Sequence, residues 1–282
     1  MKKTYYPTQA LASFFFIVFV PVVSFLAGCK TTPSNAPVAD LHFTAIEAQD
    51  TSKMYLDYML AVTNPDRVNA EFRIEAWNAV INNREIKNGL ALTADNSTGR
   101  IRLELDIPAL MAEGVPFADD CTVDLTLNIN SLHPPARIQA KETAVFPFIR
   151  EPVFAITAIA ILKAELVNTR FKVTIHIENP NNFQVDLASL EYELYGNGLL
   201  WAEGRERNII VVPARSSYQG DLFLTMNFIN MRRDLLDQII RLQDVHYGFN
   251  GEAFVGTGVD YLPRFRTNFN LSGYSKVLDA DK

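Results

Sequence analysis

Over most of its length the chain alternates apolar and polar residues one by one, a two-residue period that no helix can satisfy. Ile101, Leu103, Leu105 and Ile107 are interleaved with Arg100, Arg102, Glu104 and Asp106. Cys121, Val123, Leu125, Leu127 and Ile129 alternate with Thr122, Asp124, Thr126 and Asn128, and Phe171, Val173, Ile175 and Ile177 with Lys172, Thr174, His176 and Glu178. Such a pattern buries one face of a strand and wets the other, as in antiparallel sheets packed face to face. It predicts an all-β fold.

The alternating segments also repeat. Leu60-Ala61-Val62-Thr63-Asn64-Pro65 closes one strand, and Ile175-His176-Ile177-Glu178-Asn179-Pro180 closes another, 115 residues later. An apolar strand follows each Asn-Pro, then a turn signal: Asn82-Asn83 in the first copy, Gly196-Asn197-Gly198 in the second. Gly89 and Gly204 share the same offset. Proline removes a ladder donor and fixes φ, while the asparagine before it can bond its own backbone to start a turn. Two tandem antiparallel β-sandwiches are predicted, over 40–148 and 151–275, joined near Pro147 and Glu151-Pro152. Each has a normal sandwich size. The copies differ at 230–242, where Met231, Leu235, Ile239 and Leu242 fall at helical spacing. This predicts one amphipathic helix in the second copy. In the first copy only a short helical turn, Pro108-Ala109-Leu110-Met111, stands in that place.

The N-terminus has Lys2 and Lys3, an apolar run over 10–26 and then Ala27-Gly28-Cys29. A positive start, an apolar core and small residues at its end make a secretory signal. The ending Leu26-Ala27-Gly28-Cys29 resembles the lipobox of bacterial lipoproteins. That resemblance implies cleavage between Gly28 and Cys29, a covalent diacylglyceryl group on the Cys29 thiol and an N-acyl lipid on the new amino group. The alternative is an uncleaved membrane helix, since 10–28 is just long enough to span a bilayer. Residues 29–39, with Pro33, Ser34, Asn35 and Pro37, are expected to form a flexible tether, and 276–282 a polar tail. Lys30 follows the cysteine. In enterobacterial lipoproteins an aspartate there favours the inner membrane, so the resemblance leans toward the outer one.

Composition narrows the partners. The chain carries 26 Lys+Arg against 32 Asp+Glu and has no long basic run, which argues against nucleic acid. Removing 28 residues leaves 254, with 24 basic and 32 acidic side chains. The four histidines, His42, His133, His176 and His246, have no metal-ligand spacing. Neither a nucleophile elbow nor a phosphate loop occurs, and Asp119-Asp120 is an isolated acidic pair in a predicted loop. Cys121 opens an apolar alternation and is expected to be a small buried hydrophobe.

The order of alternating strand, Asn-Pro-Asn, apolar–aromatic strand, tight turn and glycine resembles the LEA14-like domain, also called WHy (water stress and hypersensitive response). The match is best at Asn179-Pro180-Asn181 with Phe183, Val185, Leu187, Tyr192 and Gly198; the first copy departs with Asn64-Pro65-Asp66. The resemblance implies a seven-stranded sandwich related in shape to fibronectin type III, a family without established catalytic residues, and an association with desiccation and stress protection. The expectation is a non-enzymatic, lipid-anchored envelope protein without metal or catalytic site, facing the periplasm or on the outer membrane. It would act as a binding or protective module. The alternatives are an accessory subunit of an envelope complex and a carrier of an apolar ligand.

Overall fold

The computed structural model of the chain describes residues 36–64, 71–133, 135–163, 169–226, 244–276 and 278–279. From Ala36 onward the chain forms one compact unit with two separate hydrophobic cores. The first core lies between two four-stranded antiparallel sheets. Its strands are β1 (Val38–Ala48), β2 (Lys53–Thr63), β3 (Phe72–Ile81), β4 (Arg84–Glu85), β5 (Leu90–Asp95), β6 (Arg100–Asp106), β7 (Asp120–Leu132) and β8 (Pro135–Pro147). They pair in the orders β1-β2-β6-β5 and β4-β3-β7-β8. The sequence period is the cause: on β2, Met54, Leu56, Tyr58, Leu60 and Val62 point inward while Lys53, Asp57 and Met59 stay at the surface. The helix α1 (Ile107–Ala112) connects β6 to β7. Asp106 caps it, accepting from the Ala109 N–H at 3.1 Å, and Pro108 sits in its first turn.

The second core is wrapped by β9 (Val153–Lys163), β10 (Thr169–Glu178), β11 (Val185–Gly196), β12 (Leu199–Glu206), β13 (Ile210–Val212), β14 (Ser217–Met226), β15 (Asp244–Gly256), β16 (Arg264–Lys276) and β17 (Leu278–Asp279). Here the two sheets of the first half have become one nine-stranded sheet, because β12 pairs both β11 and β14. The sheet curls until β16 lies beside β9, where the Phe154 and Phe269 rings stack at 4.7 Å. The all-β antiparallel expectation therefore holds, with the second half closer to a barrel than to two layers.

Glycine explains the difference. Among the described residues no strand of the first half contains one, whereas Gly204, Gly251 and Gly273 stand directly opposite Tyr192, Phe269 and Tyr247 on neighbouring strands. Each ring lies over the missing side chain, so that a Cβ on Gly204 would meet the Tyr192 ring at 2.4 Å. Glycine lets a strand bend sharply, and an aromatic cover replaces the lost burial.

The 115-residue repeat is structural over its first half. β9 is β1 displaced by 115 residues at both ends. The hairpin turns Asn82-Asn83 and Asn197-Gly198 both hold two positive φ angles, as type I′ turns require. Beyond them the offset drifts, and β15 begins 124 residues after β7. Gly89 and Gly204 do not correspond: Gly89 sits at φ 77 before β5, while Gly204 is extended within β12. Among its described residues the first half has eight strands, one more than the family resemblance implied. Strand β1 starts at Val38, inside the expected tether, and Leu278–Asp279 of the expected tail pairs with β9. The signal 1–28, Cys29, Pro65, the amphipathic segment 230–242 and residues 280–282 lie outside the described residues.

Close approach and backbone angle can be separated by substitution. In Gly251→Ala the new Cβ would lie 2.2 Å from the Phe269 ring and 2.4 Å from the Glu191 carbonyl oxygen, and we expect a loss of about 2–3 kcal/mol. Gly258 has open space around it and only a φ of 68 to maintain, so Gly258→Ala should cost about 1 kcal/mol. Trp201, in the second core, reports both in urea unfolding once Trp77, in the first half, is replaced by Phe.

Candidate functional site

The Asn-Pro-Asn turn at the end of β10 is buried. Asn179 and Asn181 are almost fully enclosed, and both amides are satisfied. Asn179 Oδ1 accepts from Asn181 N at 3.0 Å, the local turn expected from the sequence. Its Nδ2 donates to the carbonyls of Phe183, Val212 and Pro213 at 2.7–3.1 Å. Asn181 reaches further. Its Nδ2 donates to the Arg150 carbonyl at 2.9 Å and its Oδ1 accepts from the Arg150 N–H at 2.8 Å, so one amide holds both polar groups of that linker residue. In the first copy Asn64 is half-buried and donates to the His133 carbonyl at 3.1 Å.

These contacts belong to a junction between the two cores. Phe148 is buried in the first core and its neighbour Ile149 in the second. The Arg150 guanidinium donates to the carbonyls of Phe117 and Ala118 at 2.6 and 3.1 Å and to Asp119 at 3.3 Å. Arg215, held at φ 53, donates its N–H to the Asn181 carbonyl at 2.9 Å and its guanidinium to the same Asp119. Hydrogen bonding from Arg215 is the first cause that holds the Asp119 carboxyl below its usual range. On the other side, the Glu151 carboxylate accepts from Thr51 and Thr267, each at 2.6 Å. Tyr261 packs against both cores and donates its hydroxyl to the Pro147 carbonyl at 2.5 Å.

Beside Tyr261 lies an open cleft of about 590 Å³. Its walls come from the β1 residues Phe43 and Ile46, the β8 residues Val145 and Phe146, and Val259 and Tyr261 in the β15–β16 loop. Asp260 stands exposed at the rim. A second groove of about 570 Å³ is lined by residues of β1, β2, β5 and β6, among them Arg102, whose guanidinium pairs with Asp57 and Glu47 at 2.7 and 2.8 Å.

The remaining residues read from the sequence are dispersed. His42 pairs with Asp40 at the surface, His246 packs edge-on to Tyr274, and His133 is exposed in a turn. Among the described residues no cluster of His, Cys, Asp and Glu is placed to hold a metal ion. Cys121 is a free thiol in the first core, and burial pushes it up to about 12. Among the described residues no helix is long and apolar enough to cross a membrane. Asp119, read as an isolated loop acid, is a junction residue. Glu151 was legible only as part of the join, and Arg150, Arg215 and Tyr261 carried no signal in the sequence, because their partners lie 31 to 116 residues away.

Comparison with known proteins matches residues 174–266 to the family described as Late embryogenesis abundant protein. That stretch runs from within β10 into β16 and contains Asn179-Pro180-Asn181. No curated protein matches the sequence at a significant level. A crystal structure of a protein from Archaeoglobus fulgidus aligns at 14% identity over 44% of this chain and 100% of that chain, with a TM-score of 0.29. A tandem of titin domains aligns at 12% identity over 86% of this chain and 66% of that chain, also with a TM-score of 0.29. Scores this low carry no inference to this chain.

Removing the Asn181 amide would leave the Arg150 N–H and carbonyl unpaired in a partly buried setting. Asn181→Ala should therefore cost about 2–4 kcal/mol in urea unfolding, against about 1 kcal/mol or less for the more exposed Asn64→Ala. The Asp119 pairing has a definite pH sign. Its carboxyl is depressed from 3.8, so its contribution is complete above that value and is lost as pH falls through the lower folded value. Hydrogen exchange at 117–119 and 215 should rise only below about pH 4, and Asp119→Asn should abolish that dependence.

Proposed function

We propose that the chain is a non-enzymatic, lipid-anchored protein of the cell envelope whose LEA-type sandwiches form a binding or stress-protective module. The observation that carries this reading is the match of residues 174–266 to the late embryogenesis abundant family, which includes near its start a turn whose buried polar groups serve the scaffold. Asn179 and Asn181 engage backbone groups and each other. The first sandwich follows the same strand order up to its hairpin, and we read it as a second domain of the same type. The lipobox at Leu26-Ala27-Gly28-Cys29 supports the anchor. A diacylglyceryl and an N-acyl chain together would hold the protein firmly, since each buried CH₂ contributes about 0.8 kcal/mol. The junction cleft favours a second reading, an accessory subunit of an envelope assembly.

Intact mass of the protein extracted from native membranes tests the anchor. The expected mass lacks 28 residues and gains a diacylglyceryl and an acyl group, and Cys29→Ser loses both changes. An unprocessed mass in both proteins would overturn the anchor and leave the 10–28 run as an uncleaved helix.

A further inference from the structure

We infer that β5 is a self-association edge, pairing antiparallel with β5 of a second copy of the chain so that two four-stranded sheets become one of eight strands. The inference goes beyond the reading of the chain as an anchored module and does not depend on the anchor.

The main chain of β5 is half used. It is the last strand of its sheet and pairs only with β6. The Asp106 N–H donates to the Gly89 carbonyl at 2.9 Å. Hydrogen-bonded pairs alternate along an antiparallel ladder, so Ala91, Thr93 and Asp95 turn their main-chain groups toward β6. Leu90, Leu92 and Ala94 turn theirs away, and among the described residues no bond reaches those outward groups.

The other lateral edges of the first half are closed or guarded. β1 and β8 pack against each other, and the Glu142 carboxylate takes the Phe43 N–H. The free edge of β3 carries Arg73 and Glu75 and a register shift between Ile74 and Ala76. β5 has none of these devices. Its ladder with β6 is unbroken, it holds no proline, and 88–94 carries no charge. Proteins blunt exposed edges with charge, proline or bulges, because an edge without them is a template for another strand.

The strand that fits this edge is β5 itself. A two-fold axis at Leu92 sets Leu92 against Leu92, Leu90 against Ala94 and Ala91 against Thr93. Every outward-turned group then falls in a hydrogen-bonded pair, about six bonds in all. The faces agree as well. Leu90 and Leu92 stay over their cores, and the exposed side chains of Ala91 and Thr93 stay on the outer face. Past the strand, Asp95 comes opposite Gly89 of the second copy, two residues from its Lys87. Opposite charges approach at both ends of the strip and no like charges are set opposite each other. Such a contact is closed and uses the same patch on both copies. A strip of six residues buries less than the roughly 800 Å² per partner of a stable interface, so the pair forms in proportion to concentration.

The test uses the full-length protein in neutral detergent, in a Cys29→Ser background that leaves the buried Cys121 as the native thiol. Ala91→Cys and Thr93→Cys are prepared separately and oxidised with copper–phenanthroline, alone and mixed in equal amounts. Opposed Cα atoms in a non-hydrogen-bonded pair lie about 4.5 Å apart, within reach of a disulfide. The mixture should therefore form linked dimer about fivefold faster than either variant alone. Ala94→Pro removes an outward N–H without touching the ladder to β6, and in both partners it should slow linking about tenfold. Urea unfolding followed by Trp201 fluorescence confirms that the variants are folded. In sedimentation under density-matched detergent the unmutated chain should show a dimer that grows with concentration, and Ala91→Lys should remain monomeric. Equal rates for the mixture and the single variants would overturn the inference, as would linking indifferent to Ala94→Pro. Faster linking by Ala91→Cys alone would overturn the register, and a chain that stays monomeric at every concentration would leave the edge to some other partner and overturn the self-pairing. The Cys29→Ser background keeps the two readings apart, since register-specific linking there upholds the pairing even where the mass measurement removes the anchor.

Discussion

Phe148 and Ile149 are adjacent in the chain and belong to different cores. Consecutive Cα atoms are about 3.8 Å apart, so the two hydrophobic interiors are stitched together with no slack between them. Any hinge at this point would have to withdraw a phenylalanine or an isoleucine from its core, at about 2 kcal/mol or more each. The polar contacts follow from that constraint. A backbone pinned on both sides brings the Arg150 N–H and carbonyl out of water, and they need partners. The Asn181 amide supplies a donor and an acceptor in one planar group. Arg150 then sends its side chain back to the first half, where Asp119 also receives Arg215 from the second. Glu151 repeats the pattern on the other flank with two threonines, one from each half.

The two halves share one strand pattern at their starts and differ beyond it. β1 and β9 keep their 115-residue offset to the residue, and both hairpins keep two residues of positive φ. Past that point the first half retains two sheets, while the second fuses them through the single pairing of Glu203 with Thr225. The glycines of β12, β15 and β16 make the extra curvature possible, and the rings of Tyr192, Phe269 and Tyr247 restore the surface those glycines leave bare. The curvature in turn brings β16 round to β9, which closes the second core without a second layer.

Local features were legible in the sequence and non-local ones were not. Alternation identified the strands because burial has the same period as the pleat. Asn82-Asn83 and Asn197-Gly198 marked their turns because few residues adopt positive φ readily. Asn179 was legible as a turn former because it bonds a residue two places on. Asn181, two residues later, has its decisive partner 31 residues upstream, and nothing local reveals that. Asp119 offered only an acidic pair in a loop. The curl of the second sheet was hidden for a related reason. A glycine in a strand reads as a defect until the ring that covers it is known, and that ring lies on another strand. The shared offset of Gly89 and Gly204 shows the converse hazard, a coincidence of spacing between glycines with different backbone conformations.

The offset also bears on how the two ends of the chain differ. Counting back 115 residues from Asn181 reaches Asp66. A carboxylate accepts hydrogen bonds but, when ionised, donates none. The two-way pairing that Asn181 makes with Arg150 is therefore chemically closed to position 66. Strand β1 begins with Val38 opposite Thr63, so the chain enters the first sandwich at the end equivalent to the one where Arg150 enters the second. Asn64 donates there to the turn after β7, within its own sandwich.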